Sequence, residues 1–251
     1  MTDIILSGCC GKMGRVITVA VKGRDDCRIV AGVDLANDSS LDYPVYDSFD
    51  KIVEKADVII DFSHPSVLDN LLVFSKSRSI PVVLATTGFS STQTDKIKAT
   101  SNELPVFFTF NMSLGVNLLV ALSKKAASVL DGNFDIEIVE KHHNQKLDAP
   151  SGTAIMLAEA INETLNERMF YEYDRHSKRE KRPVNEIGIH SVRGGNIVGQ
   201  HDVIFAGHDE IITLSHQATS KEVFAIGAIK AALFMKGKTA GIYDMNNIIK
   251  F

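Results

Sequence analysis

Up to Phe110, short apolar runs alternate with segments whose apolar residues recur at helical intervals. This alternation restricts the fold more than any other feature of the sequence. The apolar runs, which have the character of strands, are "DIILSG", "CRIVAGVD", "DVIIDFS", "IPVVLATTG" and "LPVFFTF". Between them lie helical patterns, including "SFDKIVEKA", for which we predict a helix with Ser48 as its N-cap. Apolar strands that alternate with helices are typical of a parallel sheet covered on both faces. We therefore predict an α/β fold with a Rossmann-type, doubly wound sheet.

The first strand-to-helix junction, "SGCCGKMG", carries Gly8, Gly11 and Gly14. Glycines at such a turn let the backbone approach a pyrophosphate, which the N–H groups of the following helix can bind. Asp34 ends the second strand, where a carboxylate would accept hydrogen bonds from an adenosine ribose. The spacing departs from G-x-G-x-x-G because Cys9 stands at the position of its first glycine. We predict a dinucleotide site; the alternative is a tight glycine turn without a ligand.

Later strands end in "DFSHP", "ATTG" and "TFNMS", whose small and hydroxyl residues suit a nicotinamide ribose and its amide. Turn formation and helix capping would explain the same residues without a ligand. Lys12 would meet a pyrophosphate or a 2′-phosphate, or lie in solvent. Asp34 favours NADH because its charge repels the extra phosphate of NADPH, whereas Lys12 favours NADPH. Both cofactors remain possible, with NADH preferred.

The pattern changes after residue 113. "FDIEIVEKH" alternates, with Phe134, Ile136 and Ile138 on one face, which is typical of a sheet with one open side. Three more strand-like segments follow "DRHSKREKRPVNE", which we interpret as an exposed loop. We predict an inserted α+β domain with a mixed sheet at residues 114–220, for substrate binding and oligomerisation. Residues 1–113 and 221–251 would form the dinucleotide-binding domain.

The stretch "EKHHNQKLDAPSGTA" allows a metal site, an anion site, an acid–base site or a plain polar loop. A metal is disfavoured because adjacent His142 and His143 on a strand point to opposite faces and Lys146 adds positive charge. Pro150 to Thr153 precede a helix, whose N-terminus is suited to a carboxylate. His142 and Lys146 are candidate proton donors to the anion that hydride addition to a conjugated C=C–C=N system leaves.

Charge and apolar content disfavour several classes of protein. The net charge is −4, whereas nucleic-acid-binding proteins usually have an excess of basic residues. No apolar run approaches the roughly 18 residues of a membrane span, and "MTDIILSGCC" lacks the basic region of a secretory signal. The three cysteines, two of them adjacent, imply no disulfide framework. We expect a cytoplasmic protein that binds neither nucleic acid nor membrane.

The stretch from Glu137 to Ala154 resembles the signature of dihydrodipicolinate reductases, E-[IV]-x-E-x-H-x-x-x-K-x-D-x-P-S-G-T-A, at every position. "GCCGKMGR", "DFSHP", "ATTG", "NMSLGVN", "GQHDVIFAG" and "GIYDM" extend the resemblance over nearly the whole chain. It implies the NAD(P)H-dependent reduction of 4-hydroxy-tetrahydrodipicolinate to tetrahydrodipicolinate in diaminopimelate and lysine biosynthesis. It also implies a homotetramer formed by pairing of the C-terminal sheets.

The same resemblance assigns roles to individual residues. It implies that His142 and Lys146 are the acid–base pair. No metal is expected, on the ground of the residue spacing given above. The small dicarboxylate substrate would be bound by His143, Ser151, Gly152 and Thr153. The cofactor would be bound by Gly8, Cys10, Gly11, Lys12, Met13, Gly14, Asp34, Ala85, Thr86, Thr87, Thr109, Phe110, Asn111 and Met112.

Three positions depart from the family's pattern. Many members have arginine in place of Lys12 and a basic residue in place of Leu35, so this chain has little dedicated support for a 2′-phosphate. Lys221 stands where arginine is usual. A lysine keeps the positive charge but cannot make the two parallel hydrogen bonds that an arginine guanidinium makes to a carboxylate. The alternatives are another amino-acid-pathway dehydrogenase and a dinucleotide-sensing regulator. A regulator, however, has no need for His142 and Lys146 beside a helix N-terminus.

Overall fold

A computed structural model describes residues 1–36 and 38–249 of the 251-residue chain. The chain divides into two compact units. The first comprises Met1–Leu114 with Lys221–Phe251, and the second comprises Gly115–Ser220. No helix among the described residues has the length and apolar character needed to cross a membrane. That the first unit binds a dinucleotide and the second a substrate stays a prediction.

Twelve strands and six α-helices make up the described part of the chain. The strands are β1 (Thr2–Ser7), β2 (Cys27–Val33), β3 (Val45–Tyr46), β4 (Val58–Asp61), β5 (Val82–Leu84), β6 (Pro105–Phe108), β7 (Asp135–His142), β8 (Phe170–Glu172), β9 (Glu186–Arg193), β10 (Gly199–Ala206), β11 (Ile211–Ala218) and β12 (Gly241–Tyr243). The helices are α1 (Lys12–Val21), α2 (Leu68–Arg78), α3 (Ser91–Thr100), α4 (Leu114–Leu130), α5 (Gly152–Thr164) and α6 (Glu222–Met235).

The first unit contains a seven-stranded sheet in the order β3-β2-β1-β4-β5-β6-β12, in which all neighbouring strands are parallel. Both faces of this sheet are buried. Ile4 and Leu6 of β1 pack into a core that includes α1 and α6, whereas Ile5 packs on the other side, against α2 and α3. The predicted Rossmann-type sheet is therefore confirmed, and the carboxyl ends of its strands lie along one edge.

The second unit contains a five-stranded mixed sheet in the order β11-β10-β7-β9-β8. β7 pairs antiparallel with β10 and parallel with β9. Ile136 and Ile138 of β7 are buried in a core with Leu157 and Ile161 of α5. The predicted mixed sheet is confirmed, and its buried face is the face that the helices cover.

Three details of the prediction were wrong. The helix predicted after Ser48 is a single 3-10 turn, Phe49–Lys51, and the Ser48 side chain makes no capping hydrogen bond. One turn suffices because it buries both Phe49 and Ile52 before the chain enters β4. The short strands β3, β8 and β12 were not predicted.

The charged stretch that was interpreted as an exposed loop is tied to the sheet. Arg175 donates through Nη1 to both carboxylate oxygens of Glu186, each at 2.8 Å. Glu186 begins β9 and is fully buried, so its charge needs a partner. The stretch is therefore held in place by an ion pair that local sequence does not reveal.

Candidate active site

The glycine loop between β1 and α1 requires glycine at two positions. Gly8 has φ +78°, and a Cβ there would lie 2.5 Å from the carbonyl oxygen of Phe62. A Cβ at Gly14 would lie 2.2 Å from the carbonyl oxygen of Gly8. Gly11 is the N-cap of α1 and supplies no side-chain cap, and a Cβ there would meet only the Gly8 oxygen, at 3.3 Å. Free N–H groups and an open backbone fit the pyrophosphate of a dinucleotide.

A cavity of about 900 Å³ lies beside this loop and is lined by Gly8, Gly11 and Asp34 among the predicted cofactor residues. The Asp34 carboxylate is fixed by two backbone donors. Its Oδ2 accepts from Cys10 N and its Oδ1 from Ala36 N, both at 3.0 Å. Asp34 thus presents a fixed negative charge at the cavity wall.

A second cavity, of about 380 Å³, is lined by the strand-end residues. Phe62 and Ser63 line both cavities. Of the predicted cofactor residues, Cys10, Lys12 and Gly14 are not among the lining residues of these two cavities in the described part of the chain, and Lys12 is exposed at the start of α1. The predicted residues that line the second cavity are Met13, Ala85, Thr86, Thr87, Thr109, Phe110, Asn111 and Met112.

Asp61, to which the sequence analysis gave no role, connects the walls of the two cavities. Its carboxylate accepts hydrogen bonds from Ser63 Oγ and Thr86 Oγ1, each at 2.6 Å. Burial raises the pKa of Asp61, against the opposing effect of these hydroxyl groups. The group therefore joins the ends of β4 and β5, where the nicotinamide end of a dinucleotide is expected.

One group of three potential metal ligands occurs among the described residues. Ligand atoms of Cys9, Cys10 and Asp34 lie within 4.8 Å of one another. Burial raises the pKa of the Cys9 thiol to about 12, which disfavours the thiolate that a metal needs. Neither His142 nor His143 belongs to this group.

In the second unit, β7 carries His142 to the end of a buried row. Ile136, Ile138, Glu140 and His142 alternate along the strand, and all four are buried. His143 follows the strand and is half-exposed. The row that forms the apolar core thus ends in a carboxylate and an imidazole.

Glu140 is fully buried, and hydrogen bonds hold its carboxylate in place. Arg193 donates from Nη1 to Oε2 at 2.7 Å and from Nη2 to Oε1 at 2.6 Å. Ser151 N donates to Oε1 at 3.1 Å, and His142 Nδ1 lies 2.7 Å from Oε2. Burial would raise the pKa of Glu140, but hydrogen bonds from Arg193, Ser191 and His142 lower it to about 2. The carboxylate is ionised at neutral pH and accepts from every partner.

The electrostatic environment of His142 combines opposing effects. Burial lowers the pKa of His142, and the hydrogen bond and charge of Glu140 raise it. The charges of Lys146 and Arg193 lower it further, and the net pKa lies below the usual value. Without a ligand, the imidazole is therefore mostly neutral at pH 7.

Ser151 caps α5 and docks its first turn onto the sheet. Its Oγ accepts from Ala154 N at 3.2 Å and lies 2.9 Å from Nε2 of His201. Burial lowers the pKa of His201 to about 4, so this histidine is neutral at pH 7. A Cβ on exposed Gly152 would have no heavy atom within 4 Å, so the helix N-terminus is open there.

The predicted donor Lys146 lies in the segment between β7 and α5. Its Nζ is 2.8 Å from Oδ1 of Asp148. Lys146 and the N–H of Gly152 both lower the pKa of that carboxylate. Arg193 Nη2 also donates to the carbonyl oxygen of Asp148, at 2.6 Å.

The segment from His142 to Thr153 thus carries all six predicted catalytic and substrate-binding residues. Glu140 and Arg193 hydrogen-bond to this segment, at Ser151 N and the Asp148 carbonyl oxygen. Sequence reasoning gave no role to Glu140, Arg193 or His201. Only Glu140 had a detectable signal, because it is a charged residue within an apolar row. The six predicted residues are His142, His143, Lys146, Ser151, Gly152 and Thr153.

Comparison with known proteins gives matches over the full length of the chain. The family model described as Dihydrodipicolinate reductase, N-terminus, matches residues 2–112, and the corresponding C-terminus model matches residues 115–249. The 4-hydroxy-tetrahydrodipicolinate reductase of Caldanaerobacter subterraneus subsp. tengcongensis is 53% identical over 250 residues, 100% of this chain and 99% of the relative. The reductase of the same name from Clostridium novyi is 51% identical over 252 residues, with the same coverage. The dipicolinate-bound dihydrodipicolinate reductase from Paenisporosarcina sp. TG-14 has a TM-score of 0.83 at 25% identity, covering 99% of this chain and 100% of that one.

Proposed function

The chain belongs to the dihydrodipicolinate reductase family, and we propose that it reduces 4-hydroxy-tetrahydrodipicolinate to tetrahydrodipicolinate with a hydride from NADH or NADPH. It is an oxidoreductase of the diaminopimelate and lysine pathway, and its Rossmann-type fold implies a nicotinamide cofactor. The observation that carries the specific reaction is the segment between β7 and α5. There an ionisable pair, His142 and Lys146, adjoins an open helix N-terminus.

The first unit fits the dinucleotide at both ends. The nicotinamide supplies the hydride when it is bound. Gly8, Gly11 and Gly14 allow a pyrophosphate to approach the N–H groups of α1, and Asp34 accepts from the ribose hydroxyls. The smaller cavity would hold the nicotinamide ribose and amide, with the hydroxyl and amide groups of the strand-end residues as hydrogen-bonding partners. These residues are Thr86, Thr87, Thr109 and Asn111.

A dicarboxylate substrate is bound in the second unit by positive charge and backbone donors. The N–H groups of Gly152 and Thr153 open α5, and the space in front of Gly152 is clear. The positive end of the helix dipole favours a carboxylate there. His143 and Lys146 add polar and cationic contacts. In the ligand-free chain the Asp148 carboxylate binds Lys146 and accepts from the N–H of Gly152, so an incoming substrate carboxylate competes with Asp148 for both groups.

The proton that completes the reduction comes from His142 or Lys146. The 4-hydroxyl group of the substrate is first lost as water, which gives a conjugated C=C–C=N system. Hydride addition to this system leaves an anion, which one proton neutralises. A dianionic substrate beside His142 raises the pKa of the imidazole, opposing the effect of burial. The imidazole is therefore charged by substrate binding and can act as a general acid near neutral pH.

The direct test is a coupled assay. The purified protein is mixed with the product of dihydrodipicolinate synthase and with NADH, or with NADPH in a parallel reaction, and the loss of absorbance of the reduced cofactor is recorded. We expect oxidation only when that product is supplied, with the synthase omitted from the control reaction. Equal rates with and without it, or no oxidation in either reaction, would refute the proposed function.

We also propose a preference for NADH, a homotetramer and a cytoplasmic location. Asp34, Asp47 and Asp50 line the larger cavity, and their charge repels a 2′-phosphate. The face of the second sheet that is opposite α5 has partly exposed apolar side chains, which suit pairing with another copy. The biosynthetic role of the relatives and the free cysteines support the cytoplasm.

A further inference from the structure

We propose that Glu140, clamped by Arg193, is a positioning residue that holds the His142 ring with its Nδ1–H directed at Glu140 and its Nε2 available for proton exchange. This inference rests on the proposed role of His142 in acid–base chemistry. It assigns a function to a buried carboxylate and its half-buried arginine, which neither the family signature nor the comparisons explain.

The contact between Glu140 and His142 determines the tautomer. The two residues are neighbours in one buried row of β7, and Oε2 of Glu140 lies 2.7 Å from Nδ1 of His142. An ionised carboxylate only accepts hydrogen bonds, so Nδ1 is the protonated nitrogen. The neutral ring therefore carries its lone pair on Nε2.

Arg193 prevents the carboxylate from turning away. It stands opposite His142 in the parallel register of β7 and β9. Its two terminal nitrogens bind one Glu140 oxygen each, at 2.7 and 2.6 Å, in the planar fork that arginine offers. Its bond to the Asp148 carbonyl extends the same support to the segment that carries Lys146.

The other edge of the ring is kept clear by Gly199. A Cβ at Gly199 would lie 3.1 Å from His142 Nε2, closer than side chains normally pack. Nε2 has no hydrogen-bond partner among the residues that the structure describes, although the ring contacts His201 edge-on, with centroids 5.2 Å apart. One nitrogen is thus fixed by a buried charge, and the other is left for a ligand.

Four charged or titratable groups face His142 from the elements around it. Glu140 lies on β7, Arg193 on β9, His201 on β10 and Lys146 on the following segment. Of these, Glu140 raises the pKa of His142, whereas Lys146 and Arg193 lower it. Removing the charge of Glu140 therefore lowers the pKa of His142.

The test compares Glu140→Gln with the matched control Glu186→Gln. Glu186 is also fully buried in this sheet and bound through both oxygens by an arginine, but its partners include no histidine. We expect Glu140→Gln to lower kcat about 10- to 100-fold, as loss of an orienting partner typically does, with little change in substrate KM. The wild-type activity should fall at alkaline pH as His142 loses its proton. In Glu140→Gln the same loss of activity should occur at a lower pH. Glu186→Gln should keep the wild-type kcat and pH profile.

A wild-type kcat and pH profile in Glu140→Gln would overturn the proposal. So would equal losses of kcat in both variants, since these indicate a structural role only. If Glu140→Gln does not fold, Arg193→Lys replaces it, because lysine keeps the charge and loses the fork. A wild-type kcat and pH profile in Arg193→Lys would also contradict the proposal.

Nitrogen-15 NMR of the ligand-free wild-type protein tests the tautomer without any substrate. We expect neutral His142 to be protonated at Nδ1. Protonation at Nε2 would refute the inference. Because this readout needs no turnover, it separates a failure of the inference from a failure of the proposed reductase function.

Discussion

At the scale of single residues, the charges that line the larger cavity lead to a prediction about which cofactor the protein prefers. Asp34 is fixed by two backbone N–H groups, and the following residue, Leu35, is 93% exposed and carries no charge. Arg78 also lines the cavity, but its terminal nitrogens donate to the carbonyl oxygens of Ile52 and Glu54. A 2′-phosphate would therefore meet a fixed carboxylate without a dedicated cation.

We predict that kcat/KM for NADH exceeds that for NADPH by about tenfold or more, equivalent to about 1.4 kcal/mol of repulsion. The double variant Asp34→Ala with Leu35→Arg should reverse the ratio, because it removes the carboxylate and adds a phosphate-binding fork. Asp25→Ala, which changes an exposed acid that does not line the cavity, is the control. Steady-state kinetics with both cofactors give the ratio, and a wild-type preference for NADPH would contradict this prediction.

Candidate site residues that are marked by local sequence could be identified in advance, whereas residues brought beside them across the sheet could not. The glycine loop and the segment from His142 to Thr153 have a recognisable order along the chain. Arg193 and His201 meet Glu140 only through the register of β9 and β10 with β7. Strand register is fixed by tertiary packing, which a single sequence does not display.

At the scale of secondary-structure elements, long periodic segments were predictable and short ones were not. The helices and the apolar strands bury faces whose spacing shows in the sequence. β3 is two residues long, and the turn after Ser48 forms only three residues of 3-10 helix. Such elements depend on pairing and burial supplied by the rest of the fold, so local pattern carries little information about them.

The open face of the second sheet leads to a prediction about assembly. Val139, Ile204, Thr213 and Ile211 lie on this face by the register of β7, β10 and β11. Ile211 is 68% exposed, and Val139 and Ile204 are half-exposed. Pairing with another copy would cover these side chains.

We predict that the wild-type protein has four times the mass of one chain in light scattering after size-exclusion chromatography. Ile204→Arg should reduce the mass to a dimer or monomer, because it places a charge within the apolar contact. Val129→Arg, at an exposed position on α4, should leave the tetramer intact. A monomeric wild type, or equal masses for wild type and Ile204→Arg, would argue against assembly through this face.

At the scale of the whole molecule, the proposed reaction is divided between the two units. The first unit has the glycine loop and the cavities that suit a dinucleotide. The second has the proposed acid–base pair, His142 and Lys146, and the open N-terminus of α5. If this division is correct, removing a proton donor should impair chemistry and leave cofactor binding unchanged.

The measurement that tests this claim most directly is kcat together with the NADH Kd for His142→Gln and Lys146→Ala. We predict that each variant lowers kcat about 100-fold or more, the range of a lost general acid, while the NADH Kd stays within about twofold of the wild type. Wild-type turnover in both variants, or a loss of activity explained by weaker NADH binding, would contradict the account.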